Sequence, residues 1–176
     1  GTIVELGEGV DGFKVGQHVQ VLGPQCHAEM VSVNKHFVFP YDENKLDPSI
    51  AGGMPLTFLT AYHLLQTRGR MKSGHTILIH SGASGVGTIA VQMAKHWGAN
   101  VISTASTEEK MELARSLGAD HVINYTTHDF EQIIMEMTEN EGLDIVLDAV
   151  GGPTLEKSLR CVKSYGKLLS YGNASG

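Results

Sequence analysis

A glycine-rich turn is the segment of this sequence whose residue types and spacing point most clearly to chemistry. The apolar run 76–80 leads into Ser81-Gly82-Ala83-Ser84-Gly85-Val86-Gly87, and a helical pattern follows. Small residues allow a backbone to approach a bound pyrophosphate, and a helix N-terminus offers free N–H groups and a partial positive charge. The spacing is Gly-x-x-Gly-x-Gly and not the standard Gly-x-Gly-x-x-Gly. We predict a dinucleotide site here; the alternative is a tight turn that binds no nucleotide.

The end of the next predicted strand bears on the choice between NAD and NADP. An acid at this point would bind the ribose 2′-hydroxyl of NAD, but the sequence reads Ser103-Thr104-Ala105-Ser106-Thr107 with no acid before Glu108. Hydroxyls followed by Lys110 suit the extra negative charge of a 2′-phosphate, so the pattern favours NADP(H). The alternative is that Ser106 only caps the next helix, in a capping box with Glu109, and that Lys110 is solvated.

The histidines and cysteines of the chain do not form a recognisable metal site. The nine histidines include no His-x-x-x-His pair, and adjacent Cys26 and His27 are a poor ligand set on their own, so we expect no zinc. Asp148 lies in the last residues of a predicted strand, near the expected site, and we interpret it as a structural carboxylate that caps local N–H groups. The sequence offers no catalytic triad or acid–base pair, so the catalytic residues stay unassigned.

Alternating strands and helices must hold the turn and the strand end in place. After a predicted helix over 50–66, strand-like segments alternate with amphipathic helices, in which apolar residues such as Val86, Ile89 and Met93 recur at steps of three and four. Repeated βα units with nearly apolar strands indicate a parallel, doubly wound α/β sheet of the Rossmann class, one strand short of the usual six. The predicted strands are 76–80, 100–105, 121–125, 143–150 and 167–171.

Residues 1–47 follow a different pattern, and we predict that they form a separate unit. Short β-like runs are separated by glycine-containing turns, as in part of a barrel. A polar, turn-rich connection over 40–48 leads to the second unit, 48–176. The β-like runs are 2–6, 18–22, 28–33 and 36–39.

The composition argues against several classes of function. The 176 residues carry a net charge of −6 without a Lys/Arg cluster, which argues against a nucleic acid partner. No stretch reaches about 18 apolar residues, so we expect no membrane span. Two cysteines are too few for a disulfide framework and indicate reduced thiols, which favours the cytoplasm.

Several runs together resemble one protein family. They are the glycine-rich turn with its helix and the runs 117–125, 148–152 and 171–176. They resemble the zinc-free branch of the medium-chain dehydrogenases/reductases, and within it the NADPH:quinone oxidoreductases of the zeta-crystallin type. Residues 9–16 are similar to the end of that family's GroES-like catalytic domain. The resemblance implies that the first unit is a remnant of this β-barrel domain. It also implies that the second is an NADP-binding Rossmann domain without its last strand.

The resemblance also implies which residues bind the cofactor. Ser84, Gly85 and Val86 would face the pyrophosphate, and Ser106 and Lys110 would hold the 2′-phosphate. Structural alternatives are that Tyr125 packs beside the sheet, that Thr60 bonds its own helix backbone, and that Asn173 shapes a turn. The residues expected beside the 2′-phosphate group or the nicotinamide are Thr60, Tyr125, Tyr171, Gly172 and Asn173.

The activity that the resemblance implies is hydride transfer from NADPH to a quinone or an activated enone without zinc. An acceptor of this kind needs little polarisation, so the protein mainly orients the cofactor. An enoyl-thioester reductase of the same fold and a nucleotide-binding protein without turnover are the alternatives. A catalytic tyrosine of the family would lie upstream of Gly1, so we expect the chain to be part of a longer reductase. The family also implies a homodimer formed through the edge of this sheet.

Overall fold

The strands of the chain form two separate sheets. The computed structural model describes residues 1–175. Within them the strands are β1 (Val19–Val21), β2 (Val38–Pro40), β3 (Thr76–Ile79), β4 (Asn100–Ala105), β5 (His121–Asn124), β6 (Leu143–Asp148) and β7 (Val162–Ser170). The last five strands lie in the order β5-β4-β3-β6-β7, and all neighbours are parallel. The chain therefore moves outward from β3 in both directions, which confirms the predicted doubly wound α/β sheet.

Helices connect successive strands of the parallel sheet. The predicted helix over 50–66 consists of α1 (Pro48–Tyr62) and a π-helix, His63–Arg68, that continues it. Pro153 lies in the first turn of α5, where its missing N–H costs no hydrogen bond. In residues 1–175 we find no helix with the length and apolar character needed to cross a membrane. The remaining helices are α2 (Gly85–His96), α3 (Glu108–Ser116), α4 (Phe130–Met137) and α5 (Gly152–Arg160).

Buried side chains cover both faces of the parallel sheet. Ile77 and Ile79 of β3 lie in one buried cluster with Val91 of α2. Leu78 points to the opposite face, because side chains alternate along a strand, and lies in a second cluster with Ile134 of α4. This two-sided burial explains why β3 and most of β6 are apolar. Because all five strands are parallel, their carboxyl ends lie at one edge of the sheet, where the glycine-rich turn lies.

The last strand is longer and less regular than the sequence predicts. β7 begins at Val162, ahead of the predicted start at 167. Its register with β6 shifts between Leu143 and Ile145, and Tyr165 adopts a φ of 64° with its side chain fully exposed. A residue in the left-handed region interrupts the alternation on which strand prediction depends, so the first half of β7 carries no clear signal.

The first compact unit of the chain spans Gly1–Thr57, and the second begins at Phe58. β1 and β2 pair antiparallel, whereas Thr2 pairs with His18 only in an isolated bridge. The described residues of this unit form no barrel. The boundary after residue 47 and the origin of residues 1–47 in a GroES-like domain stay predictions.

Strand predictions in the first unit are partly wrong. Segments 2–6 and 28–33 form no strand in the described chain, and the predicted strand 36–39 begins only at Val38. Lys35–Phe37 is a 3-10 helix because the Asn34 side chain accepts a hydrogen bond from the His36 N–H at 3.0 Å. Local side-chain hydrogen bonds of this kind compete with strand formation, whatever the β propensity of the segment.

The start of α3 corrects one prediction about Ser106. The N-cap of α3 is Thr107, and its hydroxyl accepts a hydrogen bond from the Lys110 N–H at 3.4 Å. Ser106 lies before the cap, so the predicted capping box of Ser106 with Glu109 is wrong. Two neighbouring hydroxyl residues can both serve as an N-cap, and the sequence pattern alone does not distinguish them.

We expect Thr107→Ala to lower the free energy of unfolding by about 1 kcal/mol, because the Lys110 N–H loses its cap. Ser106→Ala is the matched neighbouring control and should change that free energy by less than about 0.5 kcal/mol. Urea unfolding followed by circular dichroism measures both values. A larger effect at Ser106 than at Thr107 would contradict the assigned cap.

Candidate functional site

The turn between β3 and α2 is so closely packed that two of its positions accommodate only glycine. A Cβ atom at Gly82 would overlap the Ser103 hydroxyl oxygen, and one at Gly87 would overlap the Ser81 carbonyl oxygen. Ser81 itself adopts a φ of 55°. The backbone of the turn therefore lies directly against β4 and the start of α2, a close approach that glycine permits.

The three residues predicted to face a pyrophosphate lie together at the start of α2. Ser84 is the N-cap, and its hydroxyl accepts a hydrogen bond from the Gly87 N–H at 3.1 Å. Its φ of −81° is ordinary for a residue with a side chain, so a serine fits here without strain. Gly85 and Val86 are the first residues of the helix, where N–H groups and the positive end of the helix dipole favour an anion.

Ser106 and Tyr125 follow the ends of two neighbouring strands, and Lys110 lies at the start of the helix after the first of them. Ser106 follows the last residue of β4, and Tyr125 follows β5. The Tyr125 N–H donates to the carbonyl of Ala105 at 3.2 Å, so the two strand ends are in register. Lys110 lies exposed in the first turn of α3, and Tyr125 is 51% exposed. Lys110 and Tyr125 are therefore open to solvent at one corner of the sheet edge, where Ser106 is half-buried.

The two acids beside Lys110 weaken its positive field, but one of them is paired. Arg115 Nη1 lies 2.7 Å from Glu108 Oε1. Lys110 forms no ion pair with any of residues 1–175. Its ammonium group is therefore available to a ligand, with Glu109 as the remaining acid at this turn of the helix.

A cavity of about 240 Å³ opens beside Tyr125 at the carboxyl ends of β3, β4 and β6. In doubly wound sheets, ligands bind in such a crevice, where the chain leaves the central strands in opposite directions. The ion pair of Asp129 and Lys157, 2.6 Å apart, forms part of its rim. Other lining residues are His80, Thr104, Phe130, Val150, Pro153 and Thr154.

Asp148 has the structural role that the sequence analysis assigned to it. Its side chain is fully buried, and Oδ1 accepts hydrogen bonds from the N–H groups of Val150 at 2.6 Å and Gly151 at 2.9 Å. These bonds turn the chain, so β6 ends at Asp148 and not at the predicted residue 150. Among residues 1–175, Asp148 Oδ2 and the Tyr171 hydroxyl are buried without a hydrogen-bond partner.

Tyr171, Gly172 and Asn173 lie in the loop after β7, packed against the loop after β6. The Tyr171 N–H donates to the Asp148 carbonyl at 2.9 Å. Burial, together with the nearby Asp148 charge, raises the pKa of Tyr171 to about 12. A Cβ at Gly172 would crowd the backbone of the neighbouring loop, and the Asn173 amide fills the space beside Gly151. The Asn173 side chain therefore packs between the two loops.

Thr60 stands apart from the other predicted site residues. It is half-buried near the end of α1. In the described part of the chain, no hydrogen bond or cavity connects it with the carboxyl edge of the sheet. The structure does not bring Thr60 together with the other candidates, so its place near the nicotinamide stays a prediction.

His80 is the residue of this site that the sequence analysis missed. It follows β3, is 2% exposed, and hydrogen-bonds Thr104 Oγ1 at 3.0 Å and Ser158 Oγ at 2.8 Å. Burial lowers the pKa of His80 to about 4, against the opposing charge of Asp148. The signal in the sequence was a histidine that closes an apolar run immediately before the glycine-rich turn.

The side chains of residues 1–175 offer no set of metal ligands. No group of three or more His, Cys, Asp or Glu side chains is arranged to hold a metal ion. Cys26 and Cys161 are both free thiols. The expectation that the chain binds no zinc stays a prediction.

A parallel Rossmann-type sheet whose glycine-rich turn leads into a helix at the carboxyl edge defines a dinucleotide-binding class of domain. A family model described as "Zinc-binding dehydrogenase" matches residues 85–176, about half of the chain. The chain belongs to this family and, within the medium-chain dehydrogenase/reductase superfamily, to the quinone oxidoreductase branch that its sequence resembles.

Named relatives match the chain along nearly its whole length. The chain is 42% identical to a 2-haloacrylate reductase of a Burkholderia species, over 99% of this chain and 54% of that protein. The structure of Escherichia coli quinone oxidoreductase complexed with NADPH matches 100% of this chain and 54% of that one, with a TM-score of 0.91 and 33% identity. The structure of the CurK enoyl reductase matches 98% of this chain and 52% of that one, with a TM-score of 0.92 and 35% identity. The chain spans about half the length of these relatives.

We expect the stability of the chain to fall as the pH is lowered from about 6.5 to about 4, because of His80. In this range the unfolded chain binds a proton at His80 that the folded chain, with a pKa of about 4, does not bind. Because this proton binds only to the unfolded chain, the free energy of unfolding falls by up to about 3 kcal/mol as the pH is lowered. Urea unfolding at pH 7 and at pH 4.5 measures the loss.

Two variants isolate the contribution of His80 to this pH dependence. The glutamine of His80→Gln cannot bind a proton. In this variant the loss of unfolding free energy between pH 7 and pH 4.5 should therefore be smaller by most of the contribution assigned to His80. The matched control His121→Gln replaces an exposed histidine and should leave the loss as it is. Equal pH dependence in the unchanged chain and in His80→Gln would contradict the assignment.

Proposed function

We propose that the chain is the NADPH-binding part of a longer reductase that transfers a hydride to a quinone or an activated enone. The observation that carries the proposal is the closely packed turn 81–87, which leads into the N-terminus of α2 at the carboxyl edge of the sheet. This geometry fits a pyrophosphate. Relatives named quinone oxidoreductase and 2-haloacrylate reductase, and a neighbour solved with NADPH, support the cofactor and the acceptor class.

The cofactor would lie along the carboxyl edge of the sheet. Ser84, Gly85 and Val86 would bind the pyrophosphate through the start of α2. Ser106 and Lys110 would hold the 2′-phosphate through a hydroxyl and an ammonium group, with Tyr125 beside them. The residues proposed for the nicotinamide end are Thr60, Tyr171, Gly172 and Asn173.

The chemistry of the reaction belongs to the cofactor, and the chain supplies binding and orientation. Bound NADPH would supply the hydride. The residues of this chain would fix the cofactor through the helix N-terminus and the strand ends, which places the reacting carbon relative to the acceptor. The proton that an enone also takes up is not assigned to a residue here, and the catalytic residues stay unassigned.

A second candidate activity is the reduction of an enoyl thioester. The similarity to the CurK enoyl reductase, over 98% of this chain, favours it. A nucleotide-binding protein without turnover is a third candidate. Activity assays of the natural full-length protein with a free quinone, a small acrylate and an enoyl thioester separate the three, because only the preferred acceptor oxidises NADPH rapidly.

Further parts of the proposal concern the rest of the protein. β7 is an edge strand of the described sheet, and such an edge can pair with a second copy, so we include a homodimer. Free thiols at Cys26 and Cys161 suit the reducing cytoplasm. Residues 1–47 would be the end of a GroES-like domain that precedes the NADP-binding Rossmann domain.

We expect NADPH to bind about 10- to 100-fold more tightly than NADH, because charge-assisted bonds to the 2′-phosphate contribute roughly 1.5–3 kcal/mol. Lys110→Glu should abolish this preference, since it replaces the proposed cation with an acid. Fluorescence titration of the chain with each nucleotide measures the dissociation constants.

The control for this experiment is Lys72→Glu, which makes the same charge change at another exposed lysine of the second unit. It should keep the preference within a factor of about three, since surface changes away from the site have effects of about 0.5 kcal/mol. Equal affinities for NADPH and NADH in the unchanged chain would overturn the NADP assignment.

We expect the purified chain to contain much less than one zinc per molecule, because the side chains of residues 1–175 present no ligand set. Elemental analysis after dialysis against a chelator measures the metal content. One zinc per chain that survives the chelator would refute the zinc-free assignment.

A further inference from the structure

A buried hydrogen-bonded chain of side chains runs from α5 to the glycine-rich turn. His80 lies between Ser158 Oγ, at 2.8 Å from Nε2, and Thr104 Oγ1, at 3.0 Å from Nδ1. All three side chains are buried, with exposures of 0–2%. The imidazole edge also contacts the Phe130 ring, with the centroids 4.9 Å apart. The imidazole is therefore held at both nitrogens and packed against the Phe130 ring.

Thr104 binds the first two N–H groups of the turn. Its hydroxyl oxygen accepts a hydrogen bond from the Ser81 N–H at 3.3 Å, and its backbone carbonyl accepts one from the Gly82 N–H at 3.2 Å. Thr104 is thus the residue of β4 that fixes where the turn begins. His80 in turn fixes the Thr104 hydroxyl.

The turn needs this support because its first residue is in an unfavourable conformation. Ser81 has a φ of 55°, a left-handed value that residues with a side chain rarely adopt. The Ser81 carbonyl accepts a hydrogen bond from the Ser84 N–H at 2.9 Å, so the position of Ser81 also sets the position of the N-cap of α2. A shift at Ser81 would therefore move the N–H groups that face the proposed pyrophosphate.

The charge state of the imidazole matches its two partners. A neutral imidazole has one donor and one acceptor, so in either tautomer it can bond one hydroxyl as donor and the other as acceptor. Burial holds the pKa of His80 at about 4, and the ring is therefore neutral near pH 7. The ring also lines the cavity beside Tyr125, at the carboxyl ends of β3, β4 and β6.

We infer that His80 is a positioning residue for the dinucleotide: through Thr104 it holds Ser81 and Gly82 where the start of α2 can bind the pyrophosphate. The inference rests on the proposed function, because it assigns His80 to the same site. It adds a residue that does not touch the cofactor and acts through the hydroxyl of its neighbour.

The test compares four variants of the chain with NADP⁺ as the probe. Thr104→Val keeps the shape and removes the hydroxyl, and His80→Phe keeps a ring and removes both hydrogen bonds. Each should weaken NADP⁺ binding about tenfold, the effect of losing about one supported hydrogen bond. Thr104→Ser restores a hydroxyl and should bind within about threefold of the unchanged chain. Thr76→Val makes the same change as Thr104→Val at the opposite edge of the sheet and should leave binding unaltered.

Amide hydrogen exchange gives a readout that a general loss of stability would not reproduce. In Thr104→Val and His80→Phe, the Ser81 and Gly82 amides should exchange faster, while amides in the middle of β3 keep their rates. If His80→Phe does not fold, Thr104→Val with its serine and Thr76 controls still decides the question. Faster exchange confined to the turn, together with weaker binding, supports the inference.

Two negative results have different meanings. If the unchanged chain binds NADP⁺ and Thr104→Val binds it equally well with unchanged exchange at Ser81 and Gly82, the positioning role is overturned and the proposed function stands. If the unchanged chain binds no NADP⁺, the proposed function fails and the inference fails with it.

Discussion

The backbone of the turn from β3 into α2 leaves no space for a side chain at Gly82 or Gly87, and the candidate site depends on this packing. Gly82 is pressed against Ser103, whose hydroxyl in turn donates to the Ile79 carbonyl at 3.0 Å. Because the turn is fixed against β4, α2 begins at the carboxyl edge of the sheet with its free N–H groups exposed there. Apart from Thr60, which lies in α1, the other proposed cofactor residues lie along this same edge, after the ends of β4, β5 and β7.

Much of the second unit could be predicted because its elements are regular. β4 begins and ends at the predicted residues, and β3 and β5 differ by one residue at one end, since alternation and apolar runs mark a sheet buried on both faces. The prediction failed where one local hydrogen bond or one unusual φ decides the conformation. Asn34 stabilises a 3-10 helix in an apparent strand, Thr107 caps α3 in place of its neighbour, and Tyr165 interrupts β7.

The residues of the candidate site also fall into two groups: those that a local sequence pattern marks and those that it does not. The glycine-rich turn and the run from Ser106 to Lys110 could be found because they follow strand ends, and parallel strands bring such residues to one edge. Tyr125 was assigned by family resemblance, and it lies at the same edge, directly after β5. His80 was missed because its importance comes from partners on β4 and α5, far away in the sequence, which no local pattern connects. Thr60 was assigned by family resemblance alone, and the contacts of the described residues neither support nor oppose that role.

The chain covers about half the length of its relatives, and we propose that its part in the reaction is to bind the cofactor. A crystal structure of the chain with NADP⁺ bound tests this account most directly. We expect the pyrophosphate within hydrogen-bond distance of the N–H groups at the start of α2, beside Ser84, and the 2′-phosphate near Lys110. A pyrophosphate bound elsewhere on the chain, with the turn between β3 and α2 empty, would contradict the account.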